Sequence, residues 1–184
     1  VRNRRTARAA DRDDAGLTTL LVAAIVDTRL ILGHIGDSRA YGFADGKAIL
    51  LTEDQRYGGM AWVGAAKKPE FEEGKHVITR DIQDLDGILL CTDGVVNNIA
   101  EAYKDTESPK LTREKKDMLA AQHLGKHFYD HARAQDAADA LVNIGKDIPP
   151  DRYRDDATCI LLKFNPGKSG SVASAQQRRD GQKT

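Results

Sequence analysis

The sequence lacks a long apolar run, and this absence excludes one class of protein. The longest apolar run, Leu20 to Val26, has the length of a strand, whereas a helix needs about 20 apolar residues to span a bilayer. The Arg-rich start is followed by Asp11, Asp13 and Asp14, not by the apolar stretch of a secretory signal. We therefore expect no membrane partner and no signal peptide.

Cysteine is also scarce. Cys91 and Cys159 are the only two in 184 residues, and they do not form a metal-binding pattern. Each lies inside an apolar run, where a buried free thiol is the expected state. Free thiols favour a reducing, cytoplasmic location.

There is no excess of charge of either sign. Lys plus Arg and Asp plus Glu both number 28, so the net charge gives no reason to expect nucleic acid as a partner. The distribution is uneven, because the first dozen residues carry five Arg and the last twenty have no large apolar residue except Val172. We expect residues 1–15 to form a disordered basic arm and 165–184 a disordered tail, leaving one domain over 16–164.

Seven apolar or alternating runs predict strands. They are Leu17 to Asp27, Arg29 to Arg39, Ala40 to Phe43, Ala48 to Leu51, Lys75 to Asp81, Ile88 to Cys91 and Ala157 to Phe164. Asp27-Thr28 predicts a tight connection, and Asp45-Gly46 is a strong hairpin signal.

Two later stretches have helical periodicity. Thr112 to Ala132 places Leu124 and Phe128 at a helical interval, and Gln135 to Lys146 repeats apolar residues in the same way. The order of hairpins, a strand, two helices and a final strand predicts an α+β fold. Its pairing should be mostly antiparallel, because hairpin-length connections cannot join parallel neighbours.

Acidic residues fall at the ends of three predicted strands: Asp37, Asp93 and Asp155. Carboxylates at the ends of adjacent strands can converge on a hard divalent cation such as Mg²⁺ or Mn²⁺. Acidic residues at strand ends are also common turn formers. The residues alone leave both interpretations open.

Six short motifs give a more specific signal. They are Thr18-Thr19-Leu20, Ile35-Gly36-Asp37-Ser38-Arg39-Ala40-Tyr41, Asp45-Gly46-Lys47, Leu51-Thr52-Glu53-Asp54, Leu89-Leu90-Cys91-Thr92-Asp93-Gly94-Val95 and Arg154-Asp155-Asp156-Ala157-Thr158. In this order they resemble the bacterial form of the metal-dependent Ser/Thr protein phosphatases of type 2C, the PPM family. The likeness is to the C-terminal part of the catalytic domain. It implies a β-sandwich of two antiparallel sheets flanked by helices.

The resemblance also implies a reaction and a site. In the family, a water bridging two Mg²⁺ or Mn²⁺ ions hydrolyses phosphoserine or phosphothreonine in proteins, so no side chain is identified as the nucleophile. Asp93 and Asp155 match ligands of the metal pair, and Asp37 matches an aspartate that helps to hold a third, weaker metal. The implied partner is a phosphoprotein, such as one from a Ser/Thr kinase system.

Departures from the family pattern concern the rest of the site. The family's N-terminal Arg and acidic motif and its Asp-Gly-(His/Met)-Gly-Gly motif have no counterpart before Gly16. Asn97 stands where the family usually has another Asp for the third metal. Gln55 to Gly64 replaces a longer insertion near the substrate. We therefore expect the N-terminal part of the domain to be missing and the chain to carry only part of the active site.

Three interpretations follow from the incomplete motif set: an enzyme fragment, an inactive phosphatase-like binding module, or a half that a second chain completes. A sandwich without its N-terminal strands should expose apolar surface and associate with a copy of itself or with a completing chain. We expect Leu20, Val22, Ile31 and Leu161 near that opening.

Three histidines share one face of the first predicted helix. His123, His127 and His131 are spaced at i, i+4 and i+8, a geometry that could hold a transition metal. No acidic residue or cysteine is spaced with them, so a solvated or half-buried face is favoured.

Overall fold

The computed structural model describes residues 18–55, 76–104 and 111–164. Within these ranges the strands β1 to β7 are Leu20–Val26, Arg29–Ile35, Arg39–Ala44, Lys47–Leu50, Val77–Asp81, Gly87–Cys91 and Cys159–Lys163. The helices α1 to α3 are Asp93–Tyr103, Arg113–Asp130 and Ala134–Asn143, and a short 3₁₀ helix, Ile144–Asp147, follows α3.

The strands form two sheets, one of three strands in the order β1-β2-β5 and one of four in the order β4-β3-β6-β7. Every pairing is antiparallel. This confirms the predicted α+β sandwich of two antiparallel sheets with helices.

Short connections behave as their residues predict. Asp45 and Gly46 between β3 and β4 both have positive φ, 51° and 75°, which is the backbone that a two-residue hairpin turn requires. Asp27 between β1 and β2 also has a positive φ of 54°. Thr112 caps α2, because its side chain accepts a hydrogen bond from the backbone N–H of Lys115.

Two apolar cores define the layers. The first lies between the sheets and contains Leu30, Leu32, Ala40 and Ile88, all at most 1% exposed. The second lies between the four-stranded sheet and the helices. There the ring of Phe128 on α2 stacks on a phenylalanine of β3 with centroids 3.9 Å apart.

Glycine at the start of β6 is required by this second core. An added Cβ at Gly87 would meet ring atoms of Phe128 at 2.7 Å and the backbone oxygen of Leu162 at 2.3 Å. The close approach of α2 to β6 therefore depends on the missing side chain.

The structure corrects three sequence-based expectations. The run from Arg29 to Arg39 is not one strand, because a turn at Gly36, where φ is 108°, separates β2 from β3. A third helix, α1, begins at Asp93, where the sequence predicted none. The second predicted helix becomes a 3₁₀ helix at Ile144 rather than continuing to Lys146 as an α-helix.

The outer face of the three-stranded sheet is apolar and exposed. Leu20, Val22 and Ile31 on this sheet are 45, 51 and 36% exposed, as expected for an opening. Leu161 was expected there too, but it is 8% exposed and packs in the helix-facing core, so this expectation was wrong. The predicted arm over 1–15, the tail over 165–184 and most of the segment from Gln55 to Gly64 lie outside the described residues.

A histidine is buried in β2. His34 is 1% exposed. Burial is the largest influence on its imidazole and lowers its pKa from the ordinary value, because a charged ring would lose its hydration.

This burial predicts a loss of stability in mild acid. The unfolded chain takes up a proton on His34 near pH 6.5, while the folded chain resists protonation. The contribution of the neutral ring to the free energy of unfolding is therefore complete above that pH and decreases below it. The loss reaches at most about 1.4 kcal/mol per pH unit for one such group. Denaturant melts between about pH 8 and pH 5 should show that His34→Gln, whatever its stability at neutral pH, has a shallower decline than the wild type. An unchanged slope in the variant would contradict the assignment.

Candidate metal-binding site

The pairing of β6 with β7 brings two of the predicted site residues to one place. Asp93 begins α1 directly after β6, and Asp155 lies in the segment that leads into β7. The ladder continues one step beyond the strands, since the N–H of Thr92 donates to the carbonyl of Thr158 at 3.0 Å. Adjacent antiparallel strands therefore deliver both carboxylates to the same edge of the sheet.

The first turn of α1 lies against the segment that carries Asp155. An added Cβ at Gly94 would stand 2.1 Å from the backbone oxygen of Asp156. The hydroxyl of Thr92 accepts from the N–H of Thr158 at 3.1 Å and donates to the oxygen of Asp156 at 3.4 Å. Because there is no side chain at Gly94, the helix and the segment can approach this closely.

Asn97 connects the two carboxylates. Its side-chain N–H₂ donates to Oδ2 of Asp93 at 3.2 Å and to Oδ2 of Asp155 at 3.0 Å. The structure therefore brings Asp93 and Asp155 together around one amide group. Asn97 occupies this central place as a neutral residue.

Asn98, the next residue, holds the backbone of Asp155. Its Nδ2 donates to the carbonyl of Asp155 at 2.9 Å, and its Oδ1 accepts from the N–H of the same residue at 2.9 Å. The side chain is buried, with 2% exposure. Sequence reasoning did not identify Asn98, and without the helix α1 no pattern placed it next to Asp155.

The third predicted residue, Asp37, lies near this pair. Asp93 is partly buried, and burial, the charge of Asp37 and the charge of Asp155 raise its pKa, in that order of size. Asn97 acts in the opposite direction through its hydrogen bond. Burial and two neighbouring negative charges disfavour the ionised form of Asp93, and a cation at this place would stabilise it.

An ordered ion-pair network borders the acidic residues. Arg39, 6% exposed, makes two parallel hydrogen bonds of 2.8 Å to Asp54 and one of 2.7 Å to Asp117. Such bidentate pairs fix geometry as well as charge. Because Asp117 is on α2, these hydrogen bonds join the Asp37 turn to that helix. The motif that contains Asp54 therefore has a structural role next to the site.

A cleft of about 230 Å³ opens between the acidic residues and this network. It is lined by Asp37, Arg39, Asp54, Asp93, Val96, Asn97, Leu111, Arg113, Lys116 and Asp117. Its lining thus combines four carboxylates with the cationic side chains of Arg39, Arg113 and Lys116, and Arg113 pairs with Asp54 at 3.4 Å.

The oxygen donors fit one side of a Mg²⁺ or Mn²⁺ site but not a full ligand set. Carboxylate and carbonyl oxygens are the ligands that these cations prefer. Across 18–55, 76–104 and 111–164, however, no group of three or more His, Cys, Asp or Glu side chains is arranged to hold a metal ion. Asp93 and Asp155 would supply two ligands of such a site.

The three histidines, two on α2 and His131 just after its end, do not form a metal site in the described part of the chain. His123 stacks on Tyr103 with ring centroids 3.6 Å apart. His127 and His131 are neighbours with centroids at 5.9 Å. All three are partly buried, as the favoured interpretation predicts.

Comparison with known proteins decides the family. The sequence profile of the family described as "Protein phosphatase 2C" matches residues 1–143, which is more than half of the chain. The chain belongs to the protein phosphatase 2C family. Asp155 lies beyond the matched range, so its assignment depends on the motif and on its position beside Asp93.

Individual relatives come from plants and bacteria. The chain is 29% identical over 174 residues to a "Probable protein phosphatase 2C 55" of Oryza sativa, a match that covers 86% of this chain and 43% of the relative. It is also 29% identical over 131 residues to the "Serine/threonine phosphatase stp" of Listeria innocua, covering 60% and 52%. The chain therefore spans about half the length of these curated relatives.

Solved structures agree on the fold. A "bacterial serine phosphatase" matches with a TM-score of 0.59 at 15% identity, covering 88% of this chain and 64% of the other. The Ser/Thr phosphatase Stp1 of Staphylococcus aureus gives 0.56 at 16%, covering 86% and 61%. The catalytic domain of PstP in complex with two manganese ions gives 0.52 at 19%, covering 80% and 58%.

No helix in the described residues is long and apolar enough to cross a membrane.

The contact at Gly94 leads to a prediction about the site. Gly94→Ala should lower the free energy of unfolding by about 1–3 kcal/mol, because the new Cβ overlaps a backbone atom that cannot rotate away. Gly33→Ala is the matched control, since its added Cβ finds its nearest atom at 4.0 Å. Denaturant melts of both variants measure the difference. Equal stability of the two would show that α1 does not lie this close to Asp156.

Proposed function

We propose that this chain forms part of the active site of a metal-dependent phosphatase that hydrolyses phosphoserine and phosphothreonine in proteins. The observation that carries the proposal is the pairing of Asp93 and Asp155 around Asn97 at the rim of a charged cleft. Membership of the protein phosphatase 2C family supports the reaction type.

Asp93 and Asp155 would hold Mg²⁺ or Mn²⁺, and Asp37 would contribute to a third, weaker site. The partly buried, mutually interacting carboxylates support this assignment, and PstP, one of the structural neighbours, is in complex with two manganese ions. When bound, the metal pair supplies an activated water and offsets phosphoryl charge.

The chain's own residues would orient the site and the substrate. Asn98 fixes the backbone of Asp155 through two hydrogen bonds, so that its carboxylate faces Asp93. Arg113 and Lys116 also line the cleft. Arg113 is paired with Asp54 and Asp117, so the positive charge of Lys116 is the one that suits an anionic phosphopeptide, and Arg39 holds α2 in place through Asp117.

The described ligand set is only part of a metal site, which fits a chain that carries part of the active site. The Asp-Gly-x-Gly-Gly motif is missing from the sequence. The second candidate function is a catalytically inactive module that binds phosphoproteins. The neutral Asn97, which already donates hydrogen bonds to both carboxylates, favours this second candidate.

The partners that fit the proposal are phosphoproteins of a Ser/Thr kinase system, in the cytoplasm. A location in reducing surroundings is supported by two free cysteines, Cys91 and Cys159. Self-association, or a chain that supplies the missing motifs, would cover the exposed sheet around Val22.

The proposal predicts weak Mn²⁺ binding that depends on both carboxylates. Asp93→Asn and Asp155→Asn should each weaken Mn²⁺ binding by at least about tenfold. Mutating a residue that only supports a metal ligand already costs about tenfold or more in affinity, and removing the ligand itself should cost no less. Electron paramagnetic resonance of free Mn²⁺ measures this. Asp130→Asn, which changes an exposed carboxylate paired with Lys126, is the matched control and should bind as the wild type does.

The same samples distinguish the two functions. Phosphate release from a phosphothreonine peptide in millimolar Mn²⁺ should be poor, because groups that act as a unit lose orders of magnitude in rate when some are absent. Robust, chelator-sensitive turnover would contradict the partial site. Phosphopeptide binding that Asp93→Asn leaves unchanged would favour the binding module.

The exposed sheet predicts self-association of the purified chain. Among the described strands, β1 lies at the edge of this sheet, and the formal net charge of zero does not keep copies apart. The double variant Val22→Lys with Ile31→Lys should be monomeric by light scattering at micromolar concentration. Met118→Lys, at a 62% exposed position on α2, should associate as the wild type does. A monomeric wild type would refute the idea.

A further inference from the structure

The two cysteines stand opposite each other on neighbouring strands. Cys91 of β6 pairs with Cys159 of β7 in the antiparallel ladder, and both thiols are free. We propose that they form a reversible redox site, in which a cross-strand disulfide joins the two strands that lead to Asp93 and Asp155.

The ladder gives this pair the right spacing. The N–H of Thr92 donates to the carbonyl of Thr158, and the N–H of Phe164 donates to the carbonyl of Asp86, so both of these residue pairs are hydrogen-bonded. In an antiparallel ladder, hydrogen-bonded and non-hydrogen-bonded pairs alternate, and the pair of Cys91 with Cys159 is next to that of Thr92 with Thr158. The cysteines are therefore a non-hydrogen-bonded pair, whose Cα atoms lie about 4.5 Å apart. Disulfides span Cα separations of roughly 4.4–6.8 Å.

The side chains also share one face of the sheet. Cys91 belongs to the core between this sheet and the helices, and Cys159 packs against that core. The thiol of Cys159 points to α3, because it donates to the carbonyl of Ala138 at 3.8 Å. Bond formation therefore needs a rotation of side chains and no rearrangement of strands.

Exposure decides which thiol reacts first. Cys91 is 4% exposed. Cys159 is only partly buried, although burial raises its pKa. An oxidant in solution reaches the more exposed thiol first, and thiolate is the reactive species, so oxidation should be slow and should begin at Cys159.

A low-molecular-weight disulfide such as oxidised glutathione can supply the oxidising equivalents. The thiolate of Cys159 attacks one sulfur, the sulfur–sulfur bond breaks, and one glutathione thiolate leaves. The thiolate of Cys91 then attacks the sulfur of Cys159 and displaces the second glutathione. Two cysteine thiols become one disulfide, one glutathione disulfide becomes two thiols, and the two protons pass to solvent or to the released thiolates.

The cross-link would constrain a large part of the fold. The chain between Cys91 and Cys159 contains all three helices, and closing a long loop restricts the unfolded state most. It would also hold β7, which pairs with β6 and lies at the edge of the four-stranded sheet as far as the described strands go. In a reducing compartment such a bond would be transient and responsive to oxidants.

The test is oxidation of the folded full chain with excess oxidised glutathione, followed by acid quenching, alkylation and non-reducing peptide mapping by mass spectrometry. We expect the peptides of Cys91 and Cys159 to be linked within one chain, with no covalent dimer. Its melting temperature should rise by several degrees, and the rise should vanish with dithiothreitol. Neither readout depends on phosphatase activity or on metal.

Single variants separate the two thiols. Cys91→Ala should stop at a glutathione adduct on Cys159, and Cys159→Ala should stay largely unmodified over the same time. If Cys91→Ala proves unfolded by circular dichroism, the wild type and Cys159→Ala still decide. A persistent adduct on Cys159 in the wild type, or a dimer linked through two copies of Cys159, would overturn the proposal.

Discussion

The candidate site depends on one interaction, the antiparallel pairing of β6 with β7. Asp93 and Asp155 are far apart in sequence, yet each lies within a few residues of the paired cysteines that close this ladder. A shift of one residue in the register would turn Leu161 away from the helix-facing core and move Asp155 away from Asp93. The buried helix-facing residues therefore fix the position of the carboxylates.

Asparagines then convert this approximate placement into a defined one. Asn98 binds both backbone polar groups of Asp155, and Asn97 binds both carboxylates. Both asparagines lie on α1, and the absence of a side chain at Gly94 allows that helix to contact the Asp155 segment. The same helix also buries Val95 and Ile99 in the core, so the site and the hydrophobic packing are coupled.

Local signals predicted much of the fold, and they failed where tertiary contacts dominate. The Asp45-Gly46 turn and the cap at Thr112 could be identified because their backbone needs act over a few residues. Helix α1 could not, since Asn97 and Asn98 are weak helix formers and its helical state depends on burial against the sheet. Of the candidate site, the family motifs indicated the carboxylates, whereas Asn98 and the cleft needed the fold.

The hydrogen bonds of Asn97 give a physical reason to expect low affinity for Mg²⁺ or Mn²⁺. In the described structure its amide already donates to both carboxylates, and its hydrogen bond partly offsets the larger effects of burial, Asp37 and Asp155, which raise the pKa of Asp93. A cation that binds Asp93 and Asp155 must compete with these hydrogen bonds while Asn97 adds no negative charge. The amide thus stabilises the carboxylates as a pair without metal, and a metal ion has less to gain from them than from an uncompensated acidic cluster.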